Sequence, residues 1–156
     1  MFRQKLIGFF GVTLIGGAIL FMQPAIGQAA SVVTVATHQS FSATVANLKK
    51  AVSSNGMMVM GTINQGKMLS MTGIKLKSET FFVGNPMMAK KLFSSEPGAG
   101  VAVPVRVTVY VAGNGKTYAS YTPPSELLEG TGNKMAVKMG KMLDQKIGML
   151  VKGLGE

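Results

Sequence analysis

Methionine is the side chain in this sequence that most invites a chemical interpretation. The chain has 13 methionines and no cysteine, and Met58 and Met60 stand two positions apart. Thioether sulfurs are soft ligands that suit Cu(I). Methionine also fills irregular cores and adaptable surfaces. The pattern favours packing for most of these residues and leaves a Cu(I) site at Met58 and Met60 as the alternative.

Other metal and hydrolytic chemistry has few residues to draw on. Zinc and iron sites need several Cys, His or carboxylate ligands on one ion, whereas the sequence has one His and no Cys. His38 follows a predicted strand and is expected at the surface. Asp144 is the only Asp, and no segment resembles a nucleophile elbow. The sequence predicts no catalytic residue and no cofactor, and it favours a non-enzymatic protein.

A ligand-binding site has more support in the residues. Asn85 and Pro86 suit the N-cap and N1 positions of a helix, and the free N–H groups at a helix start can bind an anion. Arg106, Tyr110 and Tyr121 could complete such a site from neighbouring strands. Two simpler alternatives stay open, namely that Asn85 only caps its helix and that the other three lie on an ordinary exposed sheet face.

The first 29 residues have the layout of an export signal. Arg3 and Lys5 precede an apolar run over 6–22, and 27–29 places small residues around a cut after Ala29. The sequence therefore predicts an exported protein, either periplasmic or secreted. The alternative is an uncleaved inner-membrane tether, because the apolar run is near the lower length limit of a spanning helix.

The net charge narrows the range of partners. Two of the 16 Lys and Arg residues lie within 1–29, so the remaining 127 residues carry 14 basic and 6 acidic side chains, a formal charge of +8. This excess attracts anionic surfaces such as lipid headgroups. No segment combines dense Lys or Arg with exposed aromatic residues, so no nucleic-acid partner is expected.

Hydrophobic periodicity predicts one α+β domain over 30–124. A helix capped at Ser40 or Ser42 is predicted to end at Asn55-Gly56, and a second one begins after Asn85. The segment 96–100 reads as a loop. Four strands are predicted, of which the second is expected to be buried on both faces: 32–37, 57–63, 79–84 and 101–111.

A hairpin is predicted to follow the last of these strands. The strand over 101–111 has Val at every odd position, which indicates one buried face. Asn114-Gly115 favours a tight turn, and a turn with two central residues there places Tyr121 opposite Thr108. In this register three candidate ligand-binding residues share the face without valine: Arg106, Tyr110 and Tyr121.

Residues 125–156 are predicted to form a C-terminal helical extension. Asn133 can cap a helix over 134–152 that has separate stripes of lysine, methionine and aliphatic residues. Packing of the apolar stripes on the domain or on a second copy is favoured, so a homodimer stays open. The alternative is that this basic helix lies on an anionic membrane surface.

Several short motifs follow one another along the chain in this order: Gly84-Asn85-Pro86, Ala89-x-x-Leu92-Phe93, Pro97, Val103-Pro104 and Tyr121-x-x-Pro124. Together they resemble the family called domain of unknown function 302, over about residues 32–124. The resemblance implies a small α+β domain with helices on a largely antiparallel sheet, and no established activity. After the second strand, many members of that family have a sequence similar to Glu-Ile-Asp, whereas this chain has Thr62-Ile63-Asn64 there. Gly84 and Val105 stand where some relatives have Cys.

The favoured function is an exported, non-enzymatic module that binds a small ligand or a protein partner. One alternative is a Cu(I) carrier that uses Met58 and Met60. The other is a structural protein that associates with a membrane surface through residues 133–156.

Overall fold

The computed structural model describes residues 30–156, so the export signal predicted for residues 1–29 lies outside the described range. The strands of this part of the chain are β1 (Val33–Thr37), β2 (Met58–Ile63), β3 (Ser78–Gly84), β4 (Val105–Val111) and β5 (Thr117–Tyr121). The α-helices are α1 (Phe41–Ser54), α2 (Gln65–Ser70), α3 (Pro86–Ser95), α4 (Pro124–Glu129) and α5 (Lys134–Lys152), and a 3-10 helix spans Pro97–Val101.

The five strands form one antiparallel sheet in the order β1-β5-β4-β3-β2. Residues of α1, α3, α4 and α5 join the side chains of one sheet face in a single hydrophobic core. We call this face the inner face and the opposite one the outer face. The predicted single α+β domain with a long C-terminal helix is confirmed.

The central strand β4 shows why the core lies on one side. Val105, Val107 and Val109 are buried, whereas Arg106 between them is exposed. Successive side chains of a strand point to opposite faces, so the predicted alternation is confirmed. The neighbouring strands add Phe81, Val83 and Ala119 to the same buried layer.

Helix α1 begins and ends where its sequence indicates. The Ser40 side chain accepts a hydrogen bond from Ala43 N, and Leu48 and Val52 are fully buried. After the helix the chain reverses at Gly56, whose φ of 66° suits glycine.

Two strand predictions require correction. The strand predicted over 57–63 is not buried on both faces, because β2 lies at the edge of the sheet and exposes Met58, Met60 and Ile63. The strand predicted to begin at Val101 begins at Val105. Residues Pro97–Val101 form a 3-10 helix, which replaces the predicted loop over 96–100 and the first residue of the predicted strand. Apolar residues alone do not show how many neighbours a strand has.

The turn between β4 and β5 contains three residues, 113–115, rather than two. Gly115 adopts a φ of 76° there. As a result, Tyr121 lies opposite Val107, and its predicted pairing with Thr108 is wrong. A shift of one residue reverses the face of a side chain, so Tyr121 belongs to the inner face.

Helices α4 and α5 approach each other closely at Gly140. A Cβ atom on Gly140 would lie 2.7 Å from Ser125 Cα and 2.9 Å from Ser125 N. One turn further along α5, the Asp144 carboxylate accepts hydrogen bonds from Ser125 N at 3.1 Å and from the Ser125 hydroxyl. Pro123, the N-cap residue of α4, has no side-chain hydrogen bond to offer. Asp144 therefore supplies the negative group that the start of α4 favours.

The burial of α5 follows the predicted stripes. The aliphatic stripe faces the core, and its residues Ala136, Leu143, Ile147 and Leu150 are buried. The lysines of the helix are exposed to solvent. No helix within residues 30–156 is both long and apolar enough to cross a membrane.

We expect Gly140→Ala to destabilise the fold. Overpacking costs about 1–3 kcal/mol, and alanine recovers only roughly 1 kcal/mol over glycine inside a helix. The clashing atoms belong to the Ser125 backbone, so they can move only if α4 moves. Urea denaturation measures the free energy of unfolding. Gly130→Ala is the matched control, because a Cβ there meets nothing within 4 Å. Equal stability of the two variants would contradict the close contact.

Candidate functional site

The Asn85 side chain makes hydrogen bonds within the domain. Its Oδ1 accepts hydrogen bonds from Met87 N at 2.9 Å and Met88 N at 3.1 Å, and its Nδ2 donates to Gly56 O at 2.7 Å. Pro86 occupies the first helical position, as predicted. The side chain thus joins the start of α3 to the turn after α1. Its capping role is confirmed, and its contact with a ligand stays a prediction.

Arg106 and Tyr110 both lie on the outer face, but Tyr110 lies far from Asn85. Arg106 is exposed, and the Tyr110 ring stacks on Tyr118 with 5.7 Å between the ring centroids. Tyr110 pairs with Ser78 at the start of β3, whereas Asn85 follows the end of that strand. The length of β3 separates them by about 20 Å. Tyr118 was missed because only the three-residue turn places it opposite Tyr110.

Tyr121 does not join this outer-face group. It is 7% exposed and lies on the inner face, where a Cβ on Gly148 would be 3.1 Å from its hydroxyl oxygen. Burial raises the pKa of Tyr121, and the Asp144 carboxylate raises it further. The structure therefore separates Tyr121 from Arg106 and Tyr110.

A chain of polar side chains fixes α2 to the outer face. Gln65 Nε2 lies 2.6 Å from Thr80 Oγ1, and the Thr80 and Thr108 hydroxyl oxygens are 2.8 Å apart. Gln65 Oε1 is buried and accepts no hydrogen bond from the described residues. Sequence reasoning missed this chain, since its members come from three separate elements.

Met58 and Met60 lie close to the same glycine. Met58 pairs with Gly84 across the sheet, and a bulge between Val59 and Gly61 displaces Met60 from the regular register. Met60 Sδ lies 2.8 Å from the position that a Cβ on Gly84 would occupy. Met58 is therefore the cross-strand partner of Gly84, and the thioether of Met60 packs beside the same glycine. Among residues 30–156, no group of three or more His, Cys, Asp and Glu residues is placed to hold a metal ion.

A cationic cleft of about 480 Å³ lies at the end of the sheet where α1 begins. We call it the sheet-end cleft. Its charged or titratable lining residues are Lys77, Lys116 and His38, and no carboxylate side chain from residues 30–156 lines it. The remaining lining residues are Ala36, Thr37, Gln39, Ser40, Phe41, Val111, Gly115 and Thr117.

The backbone around the sheet-end cleft is held by hydrogen bonds, and the cationic side chains remain exposed. Val111 N donates to Lys77 O at 2.9 Å, and Lys116 N donates to Asn114 Oδ1 at 3.0 Å. His38 follows β1 directly. The sequence contains no motif for this site, because Lys77, Lys116 and His38 lie in three connections that are far apart along the chain.

These observations define a small α+β domain whose antiparallel sheet is covered by a core on one face and carries a cationic cleft at one end. The family model for domain of unknown function DUF302 matches residues 33–151, and the chain belongs to this family. The match includes α4 and nearly all of α5, beyond the 32–124 span of the sequence resemblance.

A solved structure shares this fold. The crystal structure of an uncharacterized conserved DUF302 protein from Bacillus stearothermophilus has a TM-score of 0.75 and 17% sequence identity to this chain. The comparison covers 82% of this chain and 100% of that one. At this identity the similarity establishes the fold alone. No curated protein matches the chain.

We expect the Tyr121 hydroxyl to titrate above its ordinary pKa of 10.0. Burial is the larger cause, so Asp144→Asn should lower the pKa of Tyr121 only in part. Because folding favours the protonated form, the stabilisation is present below pH 10 and is lost as the pH rises through the folded pKa. Ultraviolet titration of the wild type against Tyr121→Phe isolates this hydroxyl. A pKa at or below 10.0 would contradict the buried placement.

Proposed function

We propose that this DUF302 protein is an exported, non-enzymatic module that binds a small anionic ligand in the sheet-end cleft. The observation that carries the proposal is the convergence of Lys77, Lys116 and His38 on one cleft without a carboxylate. The N-terminal pattern of residues 1–29 supports export, and mass measurement of the mature N-terminus tests it.

The size of the cleft suits a small molecule. Ligand pockets usually have volumes of about 300–1,000 Å³ and combine apolar walls with a few polar groups. In the sheet-end cleft, Phe41 and Val111 supply apolar surface, and Ser40 and Thr117 supply hydroxyl groups. The cleft therefore offers both contact area and hydrogen-bonding groups beside its positive charges.

The positive charges that line the cleft favour a negatively charged ligand. Each lysine carries a flexible ammonium group with three hydrogen-bond donors. The first turn of α1, which borders the cleft, contains no acidic residue, so the positive end of the helix dipole adds to the lysine charges. A phosphate or carboxylate group is the chemistry that these surroundings would recognise.

Titration with inorganic phosphate tests the cleft. Amide NMR signals of residues around His38 and Thr117 are expected to shift and saturate. Lys77→Gln combined with Lys116→Gln should raise the Kd at least about tenfold, equivalent to about 1.4 kcal/mol. The matched control is Lys90→Gln with Lys91→Gln, which removes two lysines of α3 that lie outside the cleft.

Two results would contradict specific phosphate binding in the sheet-end cleft. One is a set of shifts that chloride reproduces at equal ionic strength, because ordinary screening would then explain them. The other is an equal loss of phosphate affinity in the α3 control, which would mean that overall charge rather than the cleft attracts the anion.

A second candidate function is Cu(I) binding at Met58 and Met60. The exposure of both methionines beside Gly84 on the edge strand β2 supports it, because soft sulfur ligands suit this ion.

Cu(I) titration against a competing chelator tests this candidate. Met58→Leu with Met60→Leu should weaken Cu(I) affinity at least about tenfold, since leucine keeps the apolar volume and removes the sulfur. Met135→Leu with Met142→Leu, on α5, is the control, because these methionines are also about half exposed. Unchanged affinity, or an equal loss in the control, would remove the candidate.

A further inference from the structure

Helix α5 presents a row of three methionines to solvent. Met135, Met142 and Met149 are 56%, 51% and 69% exposed, although the opposite side of the helix is buried in the core. Residues seven positions apart lie nearly in line on an α-helix, and this row extends about 21 Å. We call it the methionine row. It is an apolar strip on the outside of the fold that the core does not use.

Lysines flank the methionine row. Asp144, the only acidic residue within α5, lies away from the row and binds Ser125 on α4. Glu129 lines a groove beside some of these lysines, so the local charge remains strongly positive. The lysines are Lys134, Lys138, Lys141 and Lys152 on one side of the row and Lys146 on the other.

This charge pattern argues against a second copy as the partner. Two α5 helices packed along their methionine rows would bring lysines against lysines, with no acidic residue of α5 to pair with them. Like charges at close range repel. The surface requires an anionic partner with an apolar layer next to its charges.

A lipid surface fits this row better than an acidic protein does. Lysines flank the row on both sides along its length of about 21 Å, and an anionic lipid surface presents phosphate groups directly above an apolar layer. Helix α4 packs on α5 at Gly140 and Asp144, on the side away from the row, so it leaves the row open.

We propose that α5 docks the domain on an anionic lipid surface. The lysines bind lipid phosphate groups, and the methionine row enters the boundary between headgroups and acyl chains, as apolar residues of interfacial helices do. Basic residues near such a surface add attraction that salt weakens. The fold keeps its own core at the same time, because the aliphatic stripe of α5 faces the opposite direction.

Vesicle cosedimentation of the full chain tests the proposal. One vesicle type contains phosphatidylcholine alone, and the other contains added phosphatidylglycerol. The ratio of the two partition coefficients isolates the charge-dependent part, because residues 6–22 can insert into both vesicle types. Lys138→Glu with Lys141→Glu should reduce this ratio at least about tenfold. Lys90→Glu with Lys91→Glu makes the same charge change on α3 and should preserve most of the ratio between the two partition coefficients.

A second pair of variants separates the methionine contribution. Met142→Ser with Met149→Ser leaves every charge in place and should lower binding to the anionic vesicles at high salt, where the lysine attraction is screened. Met68→Ser with Met71→Ser is the control, because both residues are exposed on or next to α2. Circular dichroism of each variant confirms that the fold is retained.

Three results would overturn the proposal. The wild type could bind both vesicle types equally, or the α3 and α5 charge variants could lose equal affinity for the anionic vesicles. The third is a concentration-dependent dimer that the α5 variants abolish while vesicle binding is unchanged, which would assign the row to a second copy. None of these outcomes depends on phosphate binding in the sheet-end cleft.

Discussion

The close contact between α4 and α5 is the constraint on which much of this structure depends. Gly140 lets the α5 backbone reach the start of α4, and Asp144 supplies the capping group that Pro123 lacks. The contact holds α5 against the inner face, where its aliphatic stripe closes the core. It also brings the carboxylate near Tyr121, which contributes to the raised pKa of that hydroxyl.

The surface properties follow from this arrangement. Because one stripe of α5 is committed to the core, its methionine row and lysines must face outward. At one end of the sheet, three connections and the start of α1 line a cleft, and the charged side chains that residues 30–156 contribute to it are cationic. Both features express the formal charge of +8 carried by residues 30–156, but they differ physically. The cleft is concave and of small-molecule size, whereas the row is a linear strip about 21 Å long.

The sequence predicted local structure well where one side chain or one period decides it. The Ser40 cap, the Asn85 cap and the valine alternation of β4 are all confirmed, since each depends on neighbours within a few residues. The predicted grouping of Tyr121 with Arg106 and Tyr110 is wrong, because it required a register that one extra turn residue changes. Tyr121 thereby moved to the inner face, and Tyr118 took the position opposite Tyr110.

By itself, the sequence determined the α+β class, the long C-terminal helix and the excess of positive charge, because composition and short-range periodicity carry that information. Only the tertiary structure decided that β2 is an edge strand, that Asp144 caps a helix nineteen residues earlier and that Lys77, Lys116 and His38 share a cleft. These are contacts between residues distant along the chain. Their formation depends on turn geometry and helix packing, and no local pattern of side chains records either one.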